Sequence, residues 1–382
     1  MSAPTIAVPT RDFLPNYLHR AHDLCFLHHD VLVEMLRSGE AHGVFSARFE
    51  FRDEADKKAF EEAADVFDWL DRTRTPAERG NLIRVTIFPA LLSDFLHFIY
   101  EALMASRKAK LTIAYALLRK PLQDTLGVLE QLVIDPNGFI GTFSEDPVKL
   151  RPLKAGGVEP HTKRIATVLE LLGEDDRFDA GFLATLRYDK NSEDSFDGTC
   201  NKALHLVTEH KAIRTEPLNF NFIFTNDDAR QSQWYFIYSR LPYILYYARL
   251  LFEHLLKDFS RTDPVYLADM ERRLAAATIL WVPAIESSYK HSALDRLVKA
   301  TAARVVSECT AHSAPIPTPE DLIRMRDTGA LPGESRIVTA ARHFRYKAIG
   351  AMSAAVAHTE KIGPYTRGLI ERLRSYRHHD GG

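Results

Sequence analysis

The chain has 382 residues, 46% hydrophobic and 26% charged, the make-up of an ordinary globular protein with room for a sizeable core in one or two domains. Its 49 Lys and Arg against 51 Asp and Glu leave a net charge of −2, so no global field draws it to nucleic acid or membrane, and a charged partner must be met by a local patch. Cys25, Cys200 and Cys309 lie far apart with no CxxC pair, which excludes a disulfide framework or a zinc ribbon and fits a reducing, cytoplasmic setting.

Taken in chain order, the first 17 residues lack a basic stretch followed by an apolar core, so no secretory leader is expected. A first helix is predicted over 15–37. "VFSARFEF" alternates Phe45, Ala47, Phe49 and Phe51 with Ser46, Arg48 and Glu50, which is strand period. A charged helix is expected from 53 to 71, and "NLIRVTIF" fits either strand or helix. Pro89 suits the first turn of a helix that runs on through residue 105. The most apolar window, 82–104, contains Arg84, Pro89, Asp94, His97 and Glu101, so a membrane span is not expected.

The next helix, 110–134, contains the stretch "YALLRKPLQDTLGVLEQLVID", whose apolar run is interrupted by Arg119, Lys120 and Pro121. Residues 144–160, rich in Pro and Gly, read as a linker. Helices are predicted to resume at 161–173, 176–187 and 198–212. "PLNFNFIF", 217–224, alternates again and would pair with 44–51 in a small sheet. Long helices follow at 227–258 and 264–305, the second broken at Pro283. "TPEDLIRMRDTG" has a cap at Thr318, Pro319 in the first position, acids in the first turn and a glycine stop at Gly329. Helices near 336–357 and 364–377 finish a fold that is mainly α, a multi-helix bundle with a minor β element. The expected division is an N-terminal helical region, 1–145, and a C-terminal one, 160–382.

Four groups of residues could carry chemistry. Asp94, His97 and Glu101, with Lys108, fall on one stripe of an otherwise apolar helix, and a buried stripe of that kind has to be hydrogen-bonded or ion-paired. Arg119 on the following helix is the expected cation for Asp94 or Glu101. Its alternative is a border arginine that covers apolar surface beside a solvated Lys120–Asp124 pair. His19, His22, Asp23, His29 and Asp30 share a side of the first helix, read as a solvated face or, alternatively, a metal site. Asp94–His97 has the carboxylate-x-x-His spacing of a di-iron half-site, but no second such motif exists, so no metal or cofactor is expected. His205, His210, Lys211 and Arg214 precede alternating Asn and Phe, a local pattern suited to nucleic acid or another anion.

"YSRLPYILYYARLLFEHLLKDF" places Arg249 and His254 with four residues between them. In that spacing it resembles HEPN-domain proteins, helical bundles of which many are metal-independent ribonucleases of toxin–antitoxin and phage-defence systems. The resemblance covers about a hundred residues, as suits a small bundle domain. Leu250 stands where that family usually has a polar residue, and Arg336–His343 and Arg374–His379 repeat the spacing elsewhere. The resemblance implies Arg249 at the scissile phosphate and His254 in proton transfer. The tail 361–382 carries five Lys or Arg against two acids and suits RNA or an acidic partner.

There is no GxGxxG, Walker, HExxH or GxSxG motif, so motors, nicotinamide enzymes, common zinc proteases and α/β-hydrolases lose ground. The sequence therefore points to an RNA-directed, HEPN-like helical protein, either ribonuclease or non-catalytic binder. The alternatives are a non-enzymatic interaction or scaffold protein, able to self-associate, and a metal-dependent hydrolase.

Overall fold

Every element of this chain is built on helices. The computed structural model describes residues 12–150, 157–222, 225–260 and 262–346, of which about 75% are helical. Helix α1 (His19–Ala41) follows a 3-10 turn at Asn16–Leu18. The charged segment expected as one helix is two, α2 (Glu54–Glu62) and α3 (Val66–Thr73), because Asp65 breaks the run and caps the second by accepting from the amides of Phe67 and Asp68.

Helix α4 (Pro76–Arg107) starts thirteen residues earlier than Pro89 suggests. Thr75 and Glu78 form a capping box, Pro76 takes the first helical position, and the helix continues through Pro89. By length and composition α4 could cross a membrane; 44% of its most apolar window is buried inside the fold. A tight turn with Ala109 at positive φ leads back into α5 (Leu111–Lys120). There the helix neither stops nor restarts at Pro121. It widens into a π turn over Pro121–Thr125 and continues as α6 (Leu126–Ile134), which accommodates the missing proline N–H.

Next come α7 (Pro136–Glu145), α8 (Glu159–Leu172), α9 (Ala180–Tyr188) and α10 (Phe196–Leu204). The centre is α11 (Asp227–Leu256), polar and exposed over its first two turns and buried from Trp234 to Leu255 along most of its faces. Like α4, it runs through an internal proline, Pro242. Helices α12 (Pro264–Trp281), α13 (Ser292–Ala311) and α14 (Pro319–Thr328) complete the bundle, with α12 and α13 separated by 3-10 turns at Val282–Ala284 and Ser287–Tyr289, as Pro283 implied. Helical backbone at 336–346 leads to the edge of the described residues; 347–357, the helix expected at 364–377, the basic tail and Arg374–His379 lie outside them.

Around α11 pack α1, α4, α6 and α8, while α5 bridges α4 and α10 and α12 supports α13 and α14. The main core runs from Leu14 to Leu297 and so draws side chains from both sides of residue 150.

No strand occurs among the described residues, so the expected β element at 44–51 and 217–222 is not formed; 223–224 lie outside them. The alternation at 44–51 has another cause. This extended segment lays Phe45 against Phe88, and Phe49 and Phe51 against Trp69, while Arg74 takes the Glu50 carbonyl at 2.8 Å. Packing on helices replaces pairing with a strand. At 217–222 the pattern is inverted: Leu218 is fully exposed, Asn221 bridges backbone groups, and only Phe222 turns inward onto Tyr115.

Helix α14 ends as its sequence says, with Gly329 at φ 65° and its carbonyl accepting from Arg272 Nε at 2.7 Å. A Cβ there would lie 2.1 Å from the buried Asp269 carboxylate. Gly329→Ala should therefore lower the unfolding free energy by roughly 2 kcal/mol or more in urea denaturation, since it combines left-handed strain with a clash. An unchanged midpoint would show that this C-cap is not constrained as described.

Candidate functional site

Polar groups converge at three places, the first of them the π turn. Leu122 and Gln123 lie in it, and their carbonyls accept from Arg187 Nε at 2.6 Å and from the Tyr188 hydroxyl at 3.0 Å. The Gln123 amide in turn donates to the Arg187 carbonyl and to Asp197. Arg187 also ion-pairs with Glu130 on α6, and both side chains are fully enclosed. The second Glu130 oxygen accepts from Arg164 Nε at 2.8 Å, and Tyr247 of α11 donates to the first at 3.0 Å. Burial alone would raise the Glu130 carboxyl; the two guanidiniums outweigh it and hold it below the usual range. This is the answer to the interrupted helix. Pro121 opens a turn whose carbonyls seat an arginine, and the arginine neutralises a buried acid.

The second cluster surrounds Arg249. Its guanidinium is 2% exposed and donates to Glu253 and Glu271. Arg177 joins Glu174, Glu271 and the Tyr246 hydroxyl, and Arg304 closes onto Glu174 from α13. Three guanidiniums thus meet three carboxylates. Burial raises the Glu253 carboxyl above its usual value, whereas for Glu271 Arg249 and Arg177 overcome burial and push it well down.

His254 is half-buried five residues on from Arg249, roughly 140° around the helix by its 3.6-residue turn. Burial, with Lys257, lowers its pKa. The structure does not bring Arg249 and His254 together, and a guanidinium enclosed by two carboxylates has no face left for a phosphate. Arg336 lies exposed at the edge of the described helix, and His343 is bonded to the Thr328 carbonyl.

The stripe on α4 is a correction. Asp94 is partly solvated, and His97, Glu101 and Lys108 are exposed; the buried face of α4 is the one with Leu92, Phe95, Leu96, Ile99 and Leu103. The cation that reaches Asp94 is Lys120, at 2.8 Å, with its ammonium over the Phe98 ring; it is not Arg119, and Lys120 does not point away to Asp124. His97 and Glu101 instead rim an open groove of about 390 Å³ with His29, Arg37, Glu40 and Tyr100. Arg119 faces α10 near Cys200, half-buried, and has no hydrogen-bond partner for its Nε among the described residues. On α1 the solvated-face reading also fails, since His22 and His29 are buried. Among the described residues no group of three or more His, Cys, Asp or Glu is placed to hold a metal ion.

The third place is the loop after α10. His205, His210, Lys211 and Arg214 are all exposed on it, together with Leu204, Leu206, Val207, Leu218 and Phe220. The loop is nevertheless tightly built. Thr208 and Thr215 bond each other's backbone, Thr208 Oγ1 bonds the Ile213 carbonyl, Thr215 Oγ1 bonds Asn221, and Asn221 reaches back to the His205 carbonyl at 2.8 Å. Ile213 is buried beneath it against Gly198, and Phe222 anchors its end on Tyr115. Leu218 and Phe222 both adopt positive φ. A strained backbone that holds aliphatic side chains out into water is kept only where the surrounding bonds over-determine it.

The sequence reading passed over Glu130, Arg187 and Arg164. The available signal was a glutamate inside "GVLEQLV", where an acid within leucines demands a partner. Removing one member of the Arg249 cluster should show how structural it is. Arg249→Met is expected to cost about 3 kcal/mol of unfolding free energy, because two acids lose a cation in a largely dry site. Lys120→Ala, at an exposed pair, should cost less than about 1 kcal/mol. Chemical denaturation measures both; equal small effects would contradict the contrast. Comparison of the chain with protein-family models, with curated proteins and with solved structures finds no match.

Proposed function

We propose that this chain is a non-enzymatic helical interaction protein, and that the ordered loop 204–222 is the surface it presents to a partner protein. What supports the reading is the exposure of Leu206, Val207, Leu218 and Phe220 on one loop whose backbone is fixed from beneath. Exposed apolar side chains gathered on one rigid feature mark interaction sites rather than chance exposure. Preorganisation also removes the ordering entropy that a floppy loop would lose on binding.

Lys211 and Arg214 share the loop with Glu209 and Glu216, so with neutral histidines its charge balances and the apolar side chains, not a net field, would select the partner. The charged clusters inside the bundle serve the scaffold in this reading: each guanidinium of the Arg249 and Arg187 groups already has a carboxylate.

A second reading is non-catalytic RNA binding through the same loop, in keeping with the resemblance to HEPN-domain proteins. Its support is the company of Lys211 and Arg214 with the exposed Phe220 ring. Single-stranded RNA is held by cations and stacked aromatic rings. The protein reading is preferred because Leu204, Leu206, Val207 and Leu218 offer no flat face for a base.

Two double variants separate the readings: Leu206→Glu with Leu218→Glu, and Lys211→Glu with Arg214→Glu. Both change exposed side chains and should leave the thermal melt within a few degrees of the parent. A protein partner co-purified with the tagged parent should be lost, by at least tenfold in apparent affinity, from the leucine variant. Nuclease-sensitive material lost only from the cation variant would favour RNA. Partners retained by both variants would contradict the assignment of the loop.

A further inference from the structure

Among the described residues four histidines are buried, and three of them, His22, His28 and His29, lie on α1; the fourth is His161. His28 is completely enclosed between α1 and α11, its ring 5.0 Å from that of Tyr246, and neither ring nitrogen has a hydrogen-bond partner. A neutral imidazole carries one N–H and one lone pair, so both are unmet at a position that leucine or phenylalanine could fill at no such cost. His22 bonds the Tyr238 hydroxyl at 2.8 Å through Nδ1 and leaves Nε2 buried and bare. His29 meets Asp30 at 3.0 Å and packs against Tyr100.

The charges around these rings give them little help in accepting a proton. His28 faces Arg249 of α11, which opposes protonation, and Glu271 of α12, whose charge is committed to Arg249 and Arg177. His22 faces Arg107 of α4 and His19 of its own helix, both of which oppose protonation, and Asp12, whose charge is already paired with Arg107; Asp23, next to it on α1, also lies in the field of Arg107. Hydrogen-bonded and charged groups elsewhere behave in the opposite sense: Glu130, Glu271 and Asp56 are ion-paired carboxylates held below their usual range. These three carboxylates stay charged while the released imidazoles titrate, whereas burial raises Glu253, so the Arg249 cluster carries one carboxyl that acid reaches before Glu271.

We propose that α1 is an acid-released strap: in mildly acidic solution, protonation of His22 and His28 detaches α1 from α4, α11 and α12 while the rest of the bundle stays folded. The sign follows from linkage. Burial lowers both folded-state pKa values, that of His22 to about 4, below the ordinary 6.5 of the released helix. Above that ordinary value neither state is protonated and nothing is lost. As pH falls below it the released form binds protons that the docked form refuses, and the docked form loses ground until its own imidazoles titrate. For each fully excluded imidazole the opening constant rises on the order of a hundredfold over two pH units. Release would expose Leu24, Cys25, Val31 and Leu32 of α1, now buried in the main core, and the faces of α4, α11 and α12 on which α1 packs.

Hydrogen exchange followed by mass spectrometry on the full chain, corrected for the intrinsic pH dependence of exchange, tests this between pH 7 and pH 4.5. Peptides from 19–41 should lose at least tenfold more protection than peptides from 126–134. The double variant His28→Leu with His22→Gln, in which the glutamine can still bond Tyr238, should keep α1 protected across the range. Equal loss of protection in all helices of the parent would overturn the proposal, and that comparison needs no variant to fold. So would an undiminished pH response of α1 in the folded variant.

Discussion

Charge taken out of water and answered inside the bundle is the constraint on which this structure depends. Helix α11 is apolar or aromatic on most sides from Trp234 onward and yet carries Arg240 and Arg249 into the interior. A guanidinium cannot shed its charge, so an isolated one buried here would destabilise the fold around it by several kcal/mol, on the order of a whole domain's margin. Each of these arginines is accordingly met: Arg240 by Asp194 at 2.6 Å and by the Tyr289 carbonyl, Arg249 by Glu253 and Glu271. Glu253 lies one turn along α11 itself, but Asp194 and Glu271 come from other segments, so satisfying the charges also specifies what lies beside α11. Tyrosines extend the same logic. Tyr246 and Tyr247 carry hydroxyls into the core and place them on Glu271 and Glu130.

The π turn belongs to the same account. A proline in a buried helix removes one backbone donor, and the widened turn places the Leu122 and Gln123 carbonyls where Arg187 and Tyr188 use them. Local backbone irregularity and long-range ionic pairing are thus one arrangement. Its effect on function is indirect: the bundle becomes a rigid platform, and the loop after α10 is mounted on the α5 side of it through Tyr115 and Phe222.

Helix was legible wherever local rules govern. The Thr318–Gly329 element follows its caps residue for residue, and the long helix expected at 227–258 is found as α11. The phenylalanine alternation in 44–51 was read as a strand and is not one: period two records which side chains face a surface, not whether that surface is a strand or a helix face. The misplaced seam on α4 has a related cause. Phe98 and Tyr100 made the helix look apolar all round, yet Tyr100 is 43% exposed and the solvent face is the one bearing His97 and Glu101. Arg187 and Glu130 were invisible as a pair because 57 residues separate them and no spacing rule links them. The loop 204–222 was noticed for its cations, while its exposed leucines are a property of the fold alone.

The central claim is that the enclosed ionic pairs act as structural joints, worth far more together than apart. A double-mutant cycle on Glu130 and Arg187, using Glu130→Gln, Arg187→Leu and the double variant in equilibrium denaturation, measures that directly. The account predicts a coupling of about 2 kcal/mol or more, with the double variant more stable than the sum of the single losses allows. A coupling indistinguishable from zero would contradict it, since the two groups would then not depend on one another.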